Sequence, residues 1–328
     1  MSSHTSTIKP AASPPNPAPD PGAAAQSLLP RPVLIALLLA ANGFLLALTL
    51  ILSRTAQGMG LSPVTYGFWM SVGAALLLSL HAGRHLADLR QPKMARYAGL
   101  SGLLSLAAPQ LLMFTVLTHI GAGLASIVYA LPVLLTYLFA RALGLEGRDG
   151  VRMTGAIVGT LGATLLLMPT DGGLPLDVLP WMALALLVPL ILASGNIYRA
   201  VAWPEGARPS VLAAGCVAIS VAFFGVASAP FGADLNMFAV EGVWPFVLVQ
   251  AFVSAGQFLA YFALQRVAPP VIFSLIGQLA LAFGLPMGAI FLGESYTPVT
   301  FLAVGLMAVG LVGVVGGPIL KARRTGRL

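Results

Sequence analysis

Long apolar runs separated by short polar stretches occupy nearly the whole chain after residue 32. Neither the two-residue alternation of a half-buried strand nor the narrow apolar stripe of a surface helix recurs along it. Runs of about 18 or more apolar residues are the signature of helices that cross the hydrocarbon core of a bilayer. The pattern predicts ten such spans, over 33–53, 64–80, 97–117, 121–140, 152–168, 179–198, 210–229, 243–265, 269–292 and 298–320. Arg141, Glu146, Arg148, Asp149 and Arg152 crowd the connection between the fourth and fifth spans. Arg266 and the pair Pro269 and Pro270 leave only a tight turn between the eighth and ninth.

Residues 1–32 are different. Pro10, Pro14, Pro15, Pro17, Pro19 and Pro21 stand among Ala and Ser, a composition that cannot bury a core, so a disordered tail is expected there. The first apolar run begins late and is as long as a full span, which argues against a cleaved secretory leader.

Composition agrees with the pattern. Of 328 residues, 58% are hydrophobic and 8% charged, with a mean hydropathy of +0.92. Soluble domains carry about 25% charged residues, so this chain cannot cover itself with a water-facing surface. The net charge of +7 is spread over short loops and does not form a nucleic-acid-binding patch. It reads instead as membrane orientation. With the N-terminus in the cytoplasm, 16 of the 17 Lys and Arg residues fall inside, and only Arg54 falls outside. Both termini are then cytoplasmic, with residues 321–328 as a basic tail. The single cysteine, Cys216, lies in an apolar run and offers neither a disulfide framework nor a cysteine-based metal site.

The chain also repeats itself. At an offset of 148 residues Ser126 maps to Ser274, Leu131 to Leu279, Glu146 to Glu294 and Gly162 to Gly310. With one residue of slippage Gln110 maps to Gln257 and Leu117 to Leu264, and Pro63 and Pro209 each open the second span of a half. The expected organisation is an all-α integral membrane protein of two five-helix repeats, over 33–168 and 169–320. An odd number of spans per repeat forces the two halves into opposite orientations, and inverted repeats of this kind are a hallmark of secondary transporters.

Several motifs carry a family resemblance. They are Ala125-Ser126 through Leu131-Pro132, Leu143 to Glu146 followed by Gly155 and Gly162, Leu292-Gly293-Glu294, and the Leu61-Ser62-Pro63 opening of the second span. In these the chain resembles the drug/metabolite transporter superfamily, in particular exporters built of two EamA-type repeats. It looks most like the YddG-type aromatic amino-acid exporters among them. The resemblance implies efflux of small amphipathic metabolites, aromatic and other neutral amino acids among them, by alternating access across a bacterial inner membrane. Many relatives carry Trp-Gly where this chain has Asn42-Gly43, and many place an arginine near the positions of Trp69 and Met70.

No Asp, Glu, Lys or Arg falls near the middle of a predicted span. Proton relays and ion sites usually show themselves as such residues. Facilitated transport of a neutral or zwitterionic solute is therefore expected, with a proton-coupled exporter as the alternative. Glu294 and His81, near span ends, are the residual candidates for a titrating group.

Polar and aromatic residues within spans are the candidates for a substrate-binding cavity: Asn42, Trp69, Gln110, Tyr129, Gln257, Tyr261, Ser274 and Gln278. Gln250, Ser254, Gln257 and Tyr261 recur at intervals of four, three and four, which places them on one helical face. Such a face either lines a wet cavity or holds helices together by hydrogen bonds. Tyr66, close to a span end, reads as an interfacial anchor. Asn196 and Tyr198 also approach a span end. Pro132, Pro189 and Pro286 lie inside spans, where proline frees a carbonyl and bends the helix, so they are candidate hinges. Gly155, Gly159 and Gly162 form a ridge suited to close helix packing.

Other functions find less support. His81 and His85 are four residues apart with Asp88 nearby, but the segment lacks the glutamate of a zinc-protease helix. No Gly-rich phosphate-binding loop suggests ATP hydrolysis, and no charged ring or carbonyl filter suggests an ion channel. No metal, cofactor, nucleic acid or obligate protein partner is expected. The expected partners are the membrane lipid and a small-molecule substrate.

Overall fold

The computed structural model describes residues 30–144, 150–165, 176–268, 273 and 275–324, and among them helices are the only regular structure. In chain order the α-helices are α1 (Arg31–Gly58), α2 (Pro63–Ala82), α3 (Pro92–Gly102), α4 (Ala108–Ala130), α5 (Pro132–Ala142) and α6 (Gly150–Leu165). They are followed by α7 (Leu179–Ala185), α8 (Leu187–Ala202), α9 (Pro209–Ala227), α10 (Trp244–Val267), α11 (Ile276–Leu292) and α12 (Pro298–Arg324). A five-residue π-helical stretch, Leu103–Ala107, joins α3 to α4.

Proline sets many of the starts. It occupies the first or second position of α1, α2, α3, α4, α5, α7, α9 and α10, where its missing N–H would have no partner in the helix anyway. Ser62 adds a side-chain cap to α2 by accepting the Thr65 N–H at 3.0 Å.

Six helical stretches are long and apolar enough to cross a membrane: Val33–Gly58, Pro63–Arg90, Pro92–Tyr129, Leu179–Arg199, Pro209–Ala227 and Trp244–Val267. Pro132–Ala142, Ile276–Leu292 and Pro298–Gly310 are shorter apolar helices. This is a multi-pass membrane protein. Applied to the described residues, the length criterion gives six spans where the apolar runs predict ten: α6, α11 and α12 adjoin residues outside the described ones, and a proline divides one run. The expected span 121–140 is divided at Leu131, one residue before Pro132. In the other direction, α12 runs on to Arg324, four residues beyond the expected end of the last span.

The stretch from Pro92 to Ala130 is not one rod. Gly121 adopts φ 77° and ψ 165°, a left-handed departure that only glycine makes without strain, and the helix restarts at Ala122. Leu186 similarly separates α7 from α8, one turn before Pro189, whose ring cannot follow a continuous helix. Pro286, by contrast, lies inside an unbroken α11 and is exposed.

The helices pack as a bundle whose outer surface is apolar, with Leu76, Leu80, Val226, Phe252, Ile290 and Val309 all more than half exposed. A water-soluble surface would not leave such residues bare. Helix α2 lies on α9, α1 lies on α10 and α11, and α6 lies on α12. The last pair is joined through glycines. A Cβ at Gly162 would come within 2.9–3.0 Å of Ala303, Leu306 and Met307, and one at Gly310 within 2.5–2.6 Å of Gly155 and Gly159. Adding 148 to 155, 159 and 162 gives 303, 307 and 310, so the two halves of this contact map onto each other.

Candidate functional site

On the inner face of α10, Gln250 and Ser254 are fully buried. Gln250 donates from Nε2 to Thr49 Oγ1 of α1 at 3.0 Å and to Ser254 Oγ at 2.7 Å. Thr49 donates in turn to the carbonyl of Leu45 at 2.9 Å and lies 3.4 Å from Gln257 Oε1. A polar seam therefore runs between α1 and α10 through an otherwise apolar bundle. Three of the four residues at the predicted intervals share it.

The fourth, Tyr261, belongs to a second cluster one turn further along α10. Its hydroxyl accepts a hydrogen bond from Arg199 Nη1, and Arg199 Nη2 donates to Asn196 Oδ1 at 2.6 Å. Asn196 Nδ2 then reaches Thr136 Oγ1 on α5 at 3.1 Å. The guanidinium carbon sits 5.0 Å from the centre of the Tyr261 ring and 5.5 Å from that of Phe273, and the two rings meet edge to face at 4.8 Å. Three helices, α5, α8 and α10, are thus joined around one cation.

Arg199 corrects the sequence reading, which placed it in a cytoplasmic loop. It is only 2% exposed, and its Nε has no hydrogen-bond partner among the described residues. A charge at the centre of a membrane helix costs at least about 2.5–3.5 kcal/mol; Arg199 closes its span but is buried rather than turned to water, and an unmet buried donor costs about 1–3 kcal/mol. The hydroxyl, the amide and the two rings offset part of this; each cation–π contact contributes about 0.5–2 kcal/mol. The available signal was the spacing of Asn196 and Arg199, three apart on one helical face, with Ala200, Val201 and Ala202 continuing the apolar run past them.

The other predicted residues are dispersed. Asn42 is fully buried on α1 but spends its Nδ2 on the Leu38 carbonyl at 2.8 Å, leaving Oδ1 unpartnered. Gln110 is half-buried near the start of α4, its Oε1 also without a partner. Tyr129 packs on the apolar cluster of α4 and α5, and Gln278 is half-buried in the first turn of α11. Ser274 lies outside the described residues.

Trp69 sits elsewhere. Its Nε1 donates to the Leu235 carbonyl at 2.6 Å, tying α2 to the loop after α9, away from Gln257 and Tyr261. Tyr66 is not the interfacial anchor its position suggests. It is fully buried edge-on to Phe114, with ring centres 5.2 Å apart, because the loop of residues 228–243 covers this end of α2.

Glu294 is held in place. Its carboxylate accepts the backbone N–H groups of Ala122 at 2.6 Å and Gly123 at 2.8 Å, together with the Tyr296 hydroxyl at 2.8 Å. The two backbone N–H groups are free donors of the helix that restarts after Gly121, where the helix dipole also favours a negative charge. A Cβ at Gly121 would lie 2.7 Å from Glu294 Oε1. Beside this lock Arg54 Nη1 donates to the Thr118 carbonyl at 2.7 Å, and His119 stacks on Trp181 with ring centres 3.7 Å apart.

Comparison with known proteins agrees with this architecture. Residues 33–168 match the model of the EamA-like transporter family. No curated protein matches the chain. Among solved structures, one crystal structure superposes with a TM-score of 0.59 at 20% identity, covering 85% of this chain and 96% of its own. That likeness is one of fold.

Proposed function

We propose that this multi-pass membrane protein, with its EamA-like transporter domain at residues 33–168, is a secondary transporter. In this reading it exports small amphipathic metabolites, aromatic and other neutral amino acids among them, by alternating access between two inverted five-helix halves. The observation that carries it is the pair of polar clusters within the apolar bundle. Thr49 of the first half meets Gln250 and Gln257 of the second, and Thr136 of the first half meets Asn196 of the second, which holds Arg199. Transporters of this build bind substrate between their halves. The self-mapping glycine contact of α6 and α12 supports the same two-fold relation.

Facilitated rather than proton-coupled transport fits the chemistry of these groups. Arginine stays protonated in proteins and cannot relay a proton. Glu294 accepts three hydrogen bonds at a helix start and serves there as a cap.

Counterflow in liposomes containing the purified protein tests both parts. Preloaded phenylalanine or leucine should drive uptake of labelled substrate, equally with and without a pH gradient. Accumulation driven by the pH gradient would overturn uniport, and absence of flux for every amino acid would overturn the substrate class.

A further inference from the structure

We infer that Arg199 is the group that reads the substrate's carboxylate, so that this carrier selects amphipathic organic acids by their anionic end. The inference rests on the transport function proposed above and names the side chain that would select its substrate.

The guanidinium is buried, and its hydrogen bonds go only to neutral groups, the Tyr261 hydroxyl and Asn196 Oδ1. Among the described residues no carboxylate pairs with it. Buried arginines are almost always paired, because their charge cannot be titrated away. Here the folded chain retains the cation and leaves Nε–H with no acceptor among the described residues. What the cluster lacks, among those residues, is one anion.

Geometry narrows the anion further. Nε–H and a second proton on an Nη nitrogen form the planar fork that a carboxylate grips with both oxygens. The flanking surfaces are the Tyr261 and Phe273 rings, so the remainder of the ligand meets aromatic faces. One cation among aromatic walls fits a single carboxylate on an apolar body better than a multiply charged inorganic ion. By the charge rule this end of α8 is cytoplasmic, the side from which an exporter takes its load.

Two measurements test this, both on the full-length purified protein. Thermal unfolding is followed with added phenylalanine or tryptophan, with their methyl esters, and with chloride or inorganic phosphate. Counterflow is run with the same acids and esters. The acids should stabilise and exchange, and the esters should do neither. Arg199→Gln should raise the half-saturating acid concentration at least about tenfold, the loss expected for a charge-assisted bidentate pair, and Arg199→Lys should recover part of it. Equal behaviour of acid and ester, unchanged saturation in Arg199→Gln, or equal stabilisation by inorganic anions would overturn the assignment. Should Arg199→Gln not fold, the comparison of acid and ester on the unaltered protein decides alone. Acid-specific stabilisation without flux would sink the transport reading and keep the Arg199 site, whereas flux blind to the carboxylate would do the reverse.

Discussion

Gly310 and Gly159 meet backbone to backbone, so closely that a Cβ on Gly310 would lie 2.5 Å from the Gly159 nitrogen. Atoms at that distance must move apart, and here the obstacle is main chain that no side-chain rotation can clear. Gly310→Ala should therefore lower stability by about 1–3 kcal/mol, the usual cost of overpacking. Gly162→Ala should do the same from the opposite helix, where its Cβ would meet Ala303 and Met307. Gly305 is the control, because a Cβ there would have nothing within 4 Å. Gly305→Ala should unfold at or above the wild-type temperature in detergent.

Glu294 fastens the connection between α11 and α12 to the helix start at Ala122. Glu294→Gln would place an amide N–H₂ against N–H donors and lose one of the two accepting oxygens. A loss of about 1–3 kcal/mol is expected. Burial, together with the adjacent Glu294 carboxylate that accepts its hydrogen bond, raises the Tyr296 phenol above its usual value. A raised value means that the folded protein holds the proton more tightly than the unfolded chain. The stabilisation is complete below about pH 10, the ordinary tyrosine value, and is lost as pH rises beyond it. Tyr296→Phe should accordingly be less stable than wild type at neutral pH, and the gap should shrink under alkaline unfolding.

Gln250 and Gln257 share a helix face but should respond differently to substitution. Gln250 is fully buried, with two donated bonds and an unpartnered Oε1. Gln250→Leu loses one interhelical bond, to Thr49, of a kind worth about 0.6 kcal/mol on average in membrane bundles, and an intrahelical one to Ser254, while relieving one unmet acceptor. Gln257 is half-buried and touches Thr49 only at 3.4 Å. Gln257→Ala should leave thermal stability within about 0.5 kcal/mol and still reduce counterflow. Unchanged flux would remove Gln257 from the substrate path.

Hydrophobic blocks made the helices legible in the sequence, since a long apolar run has little alternative in a bilayer. The same blocks hid where helices stop. Leu131 interrupts an apolar run that carries no charge at that point, and only the ring of Pro132 reveals the break, whereas the break at Gly121 falls at the predicted start of the fourth span. Periodicity found the Gln250, Ser254 and Gln257 face, because three residues on one helix need only local geometry to align. It could not join Thr136 of α5 and Tyr261 of α10 to the Asn196 and Arg199 pair of α8, because the three helices meet only through tertiary packing. Charge counting assigned Arg199 to a loop, since one arginine near a run's end looks the same whether it points to water or to Tyr261.

Orientation can be tested with the one native cysteine. Cys216 is buried and packs against Gly102 of α3, where a Cβ would lie 2.6 Å from the Cys216 carbonyl oxygen. Cys216→Ala gives a cysteine-free background with little change in volume. Of the 17 Lys and Arg residues the charge rule places only Arg54 on the outer side, and Arg54 is half-buried with Nη1 on the Thr118 carbonyl. The charge rule therefore puts the loop after α9 outside and the segment between α2 and α3 inside. Ala239 and Glu241 are exposed in the first, and Arg84 and Gln91 in the second. With single cysteines at these positions, an impermeant maleimide should label Ala239→Cys and Glu241→Cys in intact cells, and Arg84→Cys and Gln91→Cys only after permeabilisation. The reverse pattern would invert the topology and move Arg199 to the outer mouth, where it would meet substrate on release.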